Sequence, residues 1–179
     1  MPDHRISIHS EKRSNEMRAR LANVRVLLAD RDYRTANLVQ RILFSFGLRN
    51  IESTTNGETA LALLRSHPFD FIITEWNMSP FDGITLVKTI RTAKDDLRIR
   101  RNIPIIMLTA QSELENVQIA RDAGITEFVA KPFSAATISN RIVQIIDNPR
   151  AFVESSGYVG PCRRRRGARC PRRLCARSH

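Results

Sequence analysis

Glu75 stands where an apolar run gives way to a turn. Residues 72–83 read IITEWNMSPFDG, with Pro80, Asp82 and Gly83 shaping the turn. A carboxylate in that place serves as a reactive group, a metal ligand or a fixed negative charge. Other apolar runs close on polar residues too. Asp30-Arg31-Asp32 follows VRVLLA, Thr109-Ala110 closes IPIIMLT, Lys131-Pro132 follows TEFVA, and Asn77 lies two residues past Glu75. Gathered in one place, two acids, an amide, a hydroxyl and an ammonium suit an anionic group, with or without a hard cation. The four histidines, His4, His9, His67 and His179, are scattered. None has the helical setting and nearby acid expected of a phosphotransfer histidine.

The elements that must carry these residues alternate regularly. Short apolar runs at 24–29, 50–54, 69–74, 103–109 and 126–130 read as strands. Between and after them lie helices at 33–47, 57–67, 84–93, 113–124 and from 134 onward. In the first helix Leu38, Ile42 and Phe46 form the expected apolar stripe, and Gly47 stops it. Asn56 and Ser134 are candidate N-caps. Ser112 and Glu115 form an S-x-x-E capping box. Ile138, Ile142 and Ile145 share a face of the last helix. Helical crossovers imply parallel strands with helices on both faces of the sheet. Continuous runs such as IPIIML suit strands buried on both faces. In such a sheet ligand-binding groups gather at the carboxyl ends of the strands, where the residues singled out above stand.

The 179 residues suffice for one domain with tails, and 42% hydrophobic content is enough for a core. No run reaches the ~18 apolar residues of a membrane span. The first twenty residues lack the apolar region of a secretory signal, so a cytoplasmic location without membrane contact is expected. The net charge of +11 is uneven, because residues 161–179 contain eight Arg and no acid. Cys162, Cys170 and Cys175 also fall there, which leaves no disulfide framework for the core. Three regions follow: a polar, partly helical lead-in over 1–22, a domain over 23–147, and an Arg-rich tail over 148–179, expected to be disordered.

Across about residues 24–147 the chain resembles the receiver domain of bacterial two-component response regulators. The resemblance rests on the acid-containing end of the first strand and on WNMSPFDG, IPIIMLTA and EFVAKPF. The ending NPRAFVESSGYVGPCRRRR is similar to the close of a group of small, stand-alone receivers. The resemblance implies an α/β, flavodoxin-like fold: a five-stranded parallel sheet of order 2-1-3-4-5 flanked by five helices. It places Glu75 at the phosphoacceptor position and Asp30, Arg31, Asp32, Asn77, Thr109 and Lys131 in the surrounding network. Phe128 takes the aromatic switch position, without a hydroxyl. In similar proteins Mg2+ is held by carboxylates and a backbone carbonyl, here Asp30, Glu75 and Asn77. Lys131-Pro132 is the cis peptide such domains often contain.

Two departures alter the expected chemistry. Glu75 replaces the usual aspartate; its extra methylene shifts the oxygens by roughly the ~1 Å that can cost ~10²-fold in a positioned reaction. Arg31 replaces the second member of the acid pair, which weakens the attraction for Mg2+. Glu75 held by Lys131, and by Arg31, as a partial phosphoryl mimic is one reading. A degenerate site that only preserves the fold, and residual phosphorylation, are the others. Trp76 is expected to cover the pocket. Catalysis of an external reaction is a poor reading.

The expected partners are a sensor kinase or another signalling protein, met through the fourth helix, fifth strand and fifth helix, which also offer a homodimer surface. The alternative is a nucleic-acid-binding regulator using the Arg tail for weak, non-specific contact. The spacing of Cys162, Cys170, Cys175 and His179 is close to a zinc finger's, but the segment has no aromatic to stack on bases.

Overall fold

The computed structural model describes residues 19–110 and 113–163. Strands β1 (Arg25–Ala29), β2 (Asn50–Thr54), β3 (Phe71–Glu75), β4 (Ile105–Thr109) and β5 (Glu127–Ala130) form a parallel sheet of order β2-β1-β3-β4-β5. The register brings the carboxyl ends level. Ala29 lies opposite Thr54 and Thr74, Glu75 opposite Leu108, and Thr109 opposite Ala130. Every residue of β3 and β4 is buried, as expected of strands covered on both faces. Side-chain alternation divides the interior in two. Leu27, Ile72, Ile105 and Met107 enter one half, while Val26, Leu28, Ile73, Ile106 and Leu108 enter the other.

Five helices, α1 (Tyr33–Phe46), α2 (Gly57–Ser66), α3 (Gly83–Thr92), α4 (Leu114–Ala123) and α5 (Ala135–Asp147), flank the sheet. Residues 19–21 are also helical. Asn56 and Ser134 cap α2 and α5, accepting from the Thr59 and Thr137 amides at 2.8 and 3.1 Å. The α1 stripe differs from expectation. Val39, Ile42 and Leu43 are buried with Phe46 packed beside them, while Leu38 is 50% exposed. Spacing i, i+3, i+4, i+7 keeps to one face of a 3.6-residue helix, whereas i, i+4, i+8 drifts around it. Glu113 is the N-cap of α4 and makes no side-chain cap bond. The expected capping box rests on Ser112, which lies outside the described residues.

The segment 148–179, expected as a disordered tail, requires a correction over its first part. Strands β6 (Phe152–Ser155) and β7 (Tyr158–Pro161) form an antiparallel hairpin seated on the ends of α3 and α4. Its anchor is Arg91, only 2% exposed and without a carboxylate partner among the described residues. The guanidinium donates to the Gly124 and Ile103 carbonyls at 2.9 and 2.8 Å and lies under the Phe152 ring. Burial lowers its pKa to about 10, so it remains charged at neutral pH. Glu154 pairs with Arg101 and Lys94. Gly124, at φ 101°, permits the close seating, because a Cβ there would lie 2.8 Å from the Val159 carbonyl oxygen. Residues 164–179, with Cys170, Cys175 and His179, lie outside the described residues.

Candidate functional site

The ends of β1 and β3 and the residue after β5 converge on one ammonium. Lys131 Nζ donates to Glu75 Oε2 and, at 3.3 Å, to Asp30 Oδ2. Asp30 is fully buried and Glu75 is 7% exposed. The other Glu75 oxygen, Oε1, accepts from the Trp76 and Asn77 backbone amides at 2.6 and 3.3 Å. The longer side chain thus folds back over the start of its own loop. Three donors satisfy the carboxylate, and burying it without them would be costly. No buried side-chain nitrogen or oxygen among the described residues lacks a partner.

The electrostatics follow from this packing. Burial raises the Asp30 pKa, with the Asp32 amide and Lys131 opposing the shift. Burial alone would lower the Lys131 pKa, but the Glu75 hydrogen bond and the charges of Asp30 and Glu75 together hold it above 10.5.

Loop geometry fixes the carboxylate's base. The Gly83 amide donates to the Trp76 carbonyl at 2.8 Å, and a Cβ on Gly83 would lie 2.1 Å from the Glu75 carbonyl oxygen. Only glycine lets the chain return this closely. Asp82 then caps α3 through the Thr85 amide at 2.6 Å. The Lys131–Pro132 peptide is cis, and so is Ser79–Pro80.

The remaining expected residues divide. Thr109 is fully buried at the end of β4, and its carbonyl accepts from the Lys131 amide at 2.8 Å. Phe128 on β5 is half-buried against the α2–α3 side of the core, as is Trp76. Asn77 contributes its backbone amide to Glu75. Arg31 does not join the network. It is exposed and makes no ion pair with any described residue. Asp32 is the N-cap of α1, accepting from the Arg34 amide and the Thr35 hydroxyl at 3.0 and 2.9 Å. Those bonds, Thr35 first, lower its pKa. Side-chain reasoning had no sign of the Trp76 and Asn77 amides; the signal available was the extra methylene of Glu75, long enough to curl back.

This donor set does not fit Mg2+. The ion takes oxygen ligands at octahedral positions, and the two carboxylates here are joined through an ammonium. Glu75 has donors on both oxygens, Asp30 Oδ1 accepts from the Asp32 amide at 2.8 Å, and an arginine fills the other acid position. Among the described residues no three His, Cys, Asp or Glu side chains form a metal-binding group.

Comparison with known proteins places the fold and the family. The response regulator receiver domain model matches residues 26–143. Chemotaxis protein CheY-3 of Vibrio cholerae is 34% identical over 125 residues, covering 70% of this chain and 93% of that protein. A putative response regulator from Chloroflexus aurantiacus superposes with a TM-score of 0.64 at 27% identity, covering 70% of this chain and 100% of that one. The receiver domain of a sensor histidine kinase from Pseudomonas aeruginosa, which has a magnesium ion in its active site cleft, superposes with a TM-score of 0.59. That likeness is at 26% identity and covers 69% of this chain and 96% of the other. The hairpin of β6 and β7 lies beyond the matched residues. With its sheet order, its strand-end lysine and these matches, the chain belongs to the response regulator receiver domain family.

Proposed function

We propose that this receiver signals by protein–protein contact, with Glu75 as a built-in partial substitute for a phosphoryl group. The observation that carries the reading is the clasp on Glu75: Lys131 on one oxygen and two loop amides on the other. An ionised carboxylate carries one negative charge against ~1.5–2 for a phosphoryl group, so the substitution is partial. It needs neither metal nor phosphodonor. A nucleophilic oxygen must point an open lone pair at phosphorus, and three of the roughly four lone-pair sites of Glu75 already carry donors, which disfavours attack.

The partner is a sensor kinase or another signalling protein. The α4, β5 and α5 face is the proposed contact surface, where α4 exposes Leu114 and Ile119, and a second copy of the chain is the other occupant it suits. Partner capture by wild-type and Glu75→Ala protein, without acetyl phosphate or Mg2+, tests the reading. Wild type is expected to retain its partner, and the variant to retain roughly fivefold less or lower. Equal retention by both would reduce Glu75 to a residue that only maintains the fold.

A further inference from the structure

A second recess lies at the opposite end of the sheet, beside the amino ends of β3 and β4. Its volume is 270 Å³, and its apolar floor is Leu64, Phe69 and Ile103, none more than 5% exposed. Arg65, Arg98 and Arg100 stand around that floor. Arg98, Arg100 and Ile103 of its lining belong to residues 93–104, which connect α3 to β4. This connection exceeds the ~2–6 residues usual between a helix and a strand, and long ordered loops of this kind are disproportionately functional. It is pinned by buried Ile99 and Ile103, while Leu97, two residues before Ile99, is 95% exposed. The loop therefore presents an apolar side chain to solvent beside an apolar recess.

The charges around the recess are ordered. Asp96 accepts from Arg65 Nε at 2.8 Å and from Arg98 Nε at 3.0 Å. The Arg98 bond and then the Arg65 bond lower the Asp96 pKa to about 2, so the link stays ionised at neutral pH. Arg100 Nη1 donates to the Phe69 carbonyl at 3.3 Å. Each guanidinium has five N–H donors, and these bonds use only some of them. Arg65 and Arg98 share the Asp96 carboxylate while Arg100 bonds only a backbone carbonyl, leaving a positive rim over an apolar floor.

We propose that this recess is a docking site for an acidic peptide segment of a partner protein. One aromatic or large aliphatic side chain enters the recess, and flanking carboxylates meet Arg65, Arg98 and Arg100. Buried apolar anchors with an Arg-carboxylate rim are a common source of interface energy and specificity. A basic peptide is repelled, and a bare inorganic anion leaves the floor unfilled. The site lies across the sheet from Glu75, so its test and that of the Glu75 reading fail separately.

The test is an amide NMR titration of the full chain with the acetylated, amidated peptide EDFDE. Shifts are expected at Leu64, His67, Phe69, Arg98 and Ile103. EDSDE is expected to bind about tenfold more weakly, because it lacks the anchor. KKFKK is expected to leave these amides unmoved. The double variant Arg98→Glu, Arg100→Glu is expected to lower EDFDE affinity about tenfold. Shifts mapping elsewhere, equal binding of EDSDE, or indifference to the charge reversals would overturn the proposal. So would a single-stranded thymidine oligonucleotide that binds these residues more tightly than EDFDE, which would assign the recess to nucleic acid. The peptide comparisons use the wild-type protein, so they stand even if the double variant does not fold.

Discussion

Replacing Lys131 by Met is expected to lower unfolding free energy by about 3 kcal/mol at neutral pH. The substitution leaves Asp30 and Glu75 buried side by side with no cation between them. Loss of one member of a buried ion pair is severe because the remaining charge keeps its desolvation cost. The pH dependence has a definite sign. Asp30 already has a raised pKa through burial, and without Lys131 the Glu75 charge pushes it higher. A folded pKa above the unfolded one means the folded state takes up its proton first. The deficit of the variant should therefore shrink as pH falls toward 3.8. At the alkaline end wild type behaves differently. The Lys131 contribution is complete below 10.5 and is lost as pH rises through its raised folded value. Urea unfolding of both proteins at about pH 7 and about pH 5 reads the effect. A difference under about 0.5 kcal/mol at both would mean that water serves these carboxylates as well as Lys131 does.

Gly83→Ala is expected to be equally damaging, by about 3 kcal/mol, although it adds a single methyl group. That methyl falls 2.1 Å from the Glu75 carbonyl oxygen, a backbone atom that cannot rotate away. Relief requires the loop to lift, which breaks the Gly83–Trp76 backbone bond and carries the Trp76 amide off Glu75 Oε1. The variant should thus lose partner retention along with stability. Gly157→Ala is the matched control. Beyond its two chain neighbours no atom of the described residues lies within 4 Å of its added Cβ, and a change within about 0.5 kcal/mol is expected. Thermal or urea unfolding of the two variants side by side separates a local clash from a general intolerance of alanine.

How much of this could be read from the sequence depends on how local each determinant is. The strand runs and the caps at Asn56 and Ser134 came through, because periodicity and capping are properties of neighbouring residues, whereas the order of the sheet came through only as what the family resemblance implies. Glu75 and Lys131 could be paired in advance because both stand at strand ends that a parallel sheet brings level. Arg31 could not be placed the same way. Its neighbour Asp30 points into the site, while Arg31 itself points out and Asp32 is taken by a helix cap. The amides that hold Glu75 carry no residue identity at all. The hairpin was missed because four-residue strands give little alternation to detect. Its support, Arg91 under Phe152 and Gly124 beneath β7, comes from residues distant in the chain. The recess ringed by Arg65, Arg98 and Arg100 is likewise assembled from separate segments, and in sequence it reads only as a charged connection.

The most direct measurement follows the Trp76 and Asn77 backbone amides by NMR as Mg2+ and then acetyl phosphate are added to the wild-type protein. Both amides donate to Glu75 Oε1, so they report any change at that carboxylate. The expected result is no saturable movement with Mg2+ and no phosphoryl adduct afterwards. Saturable shifts with Mg2+, followed by a hydroxylamine-labile adduct on Glu75, would contradict the account.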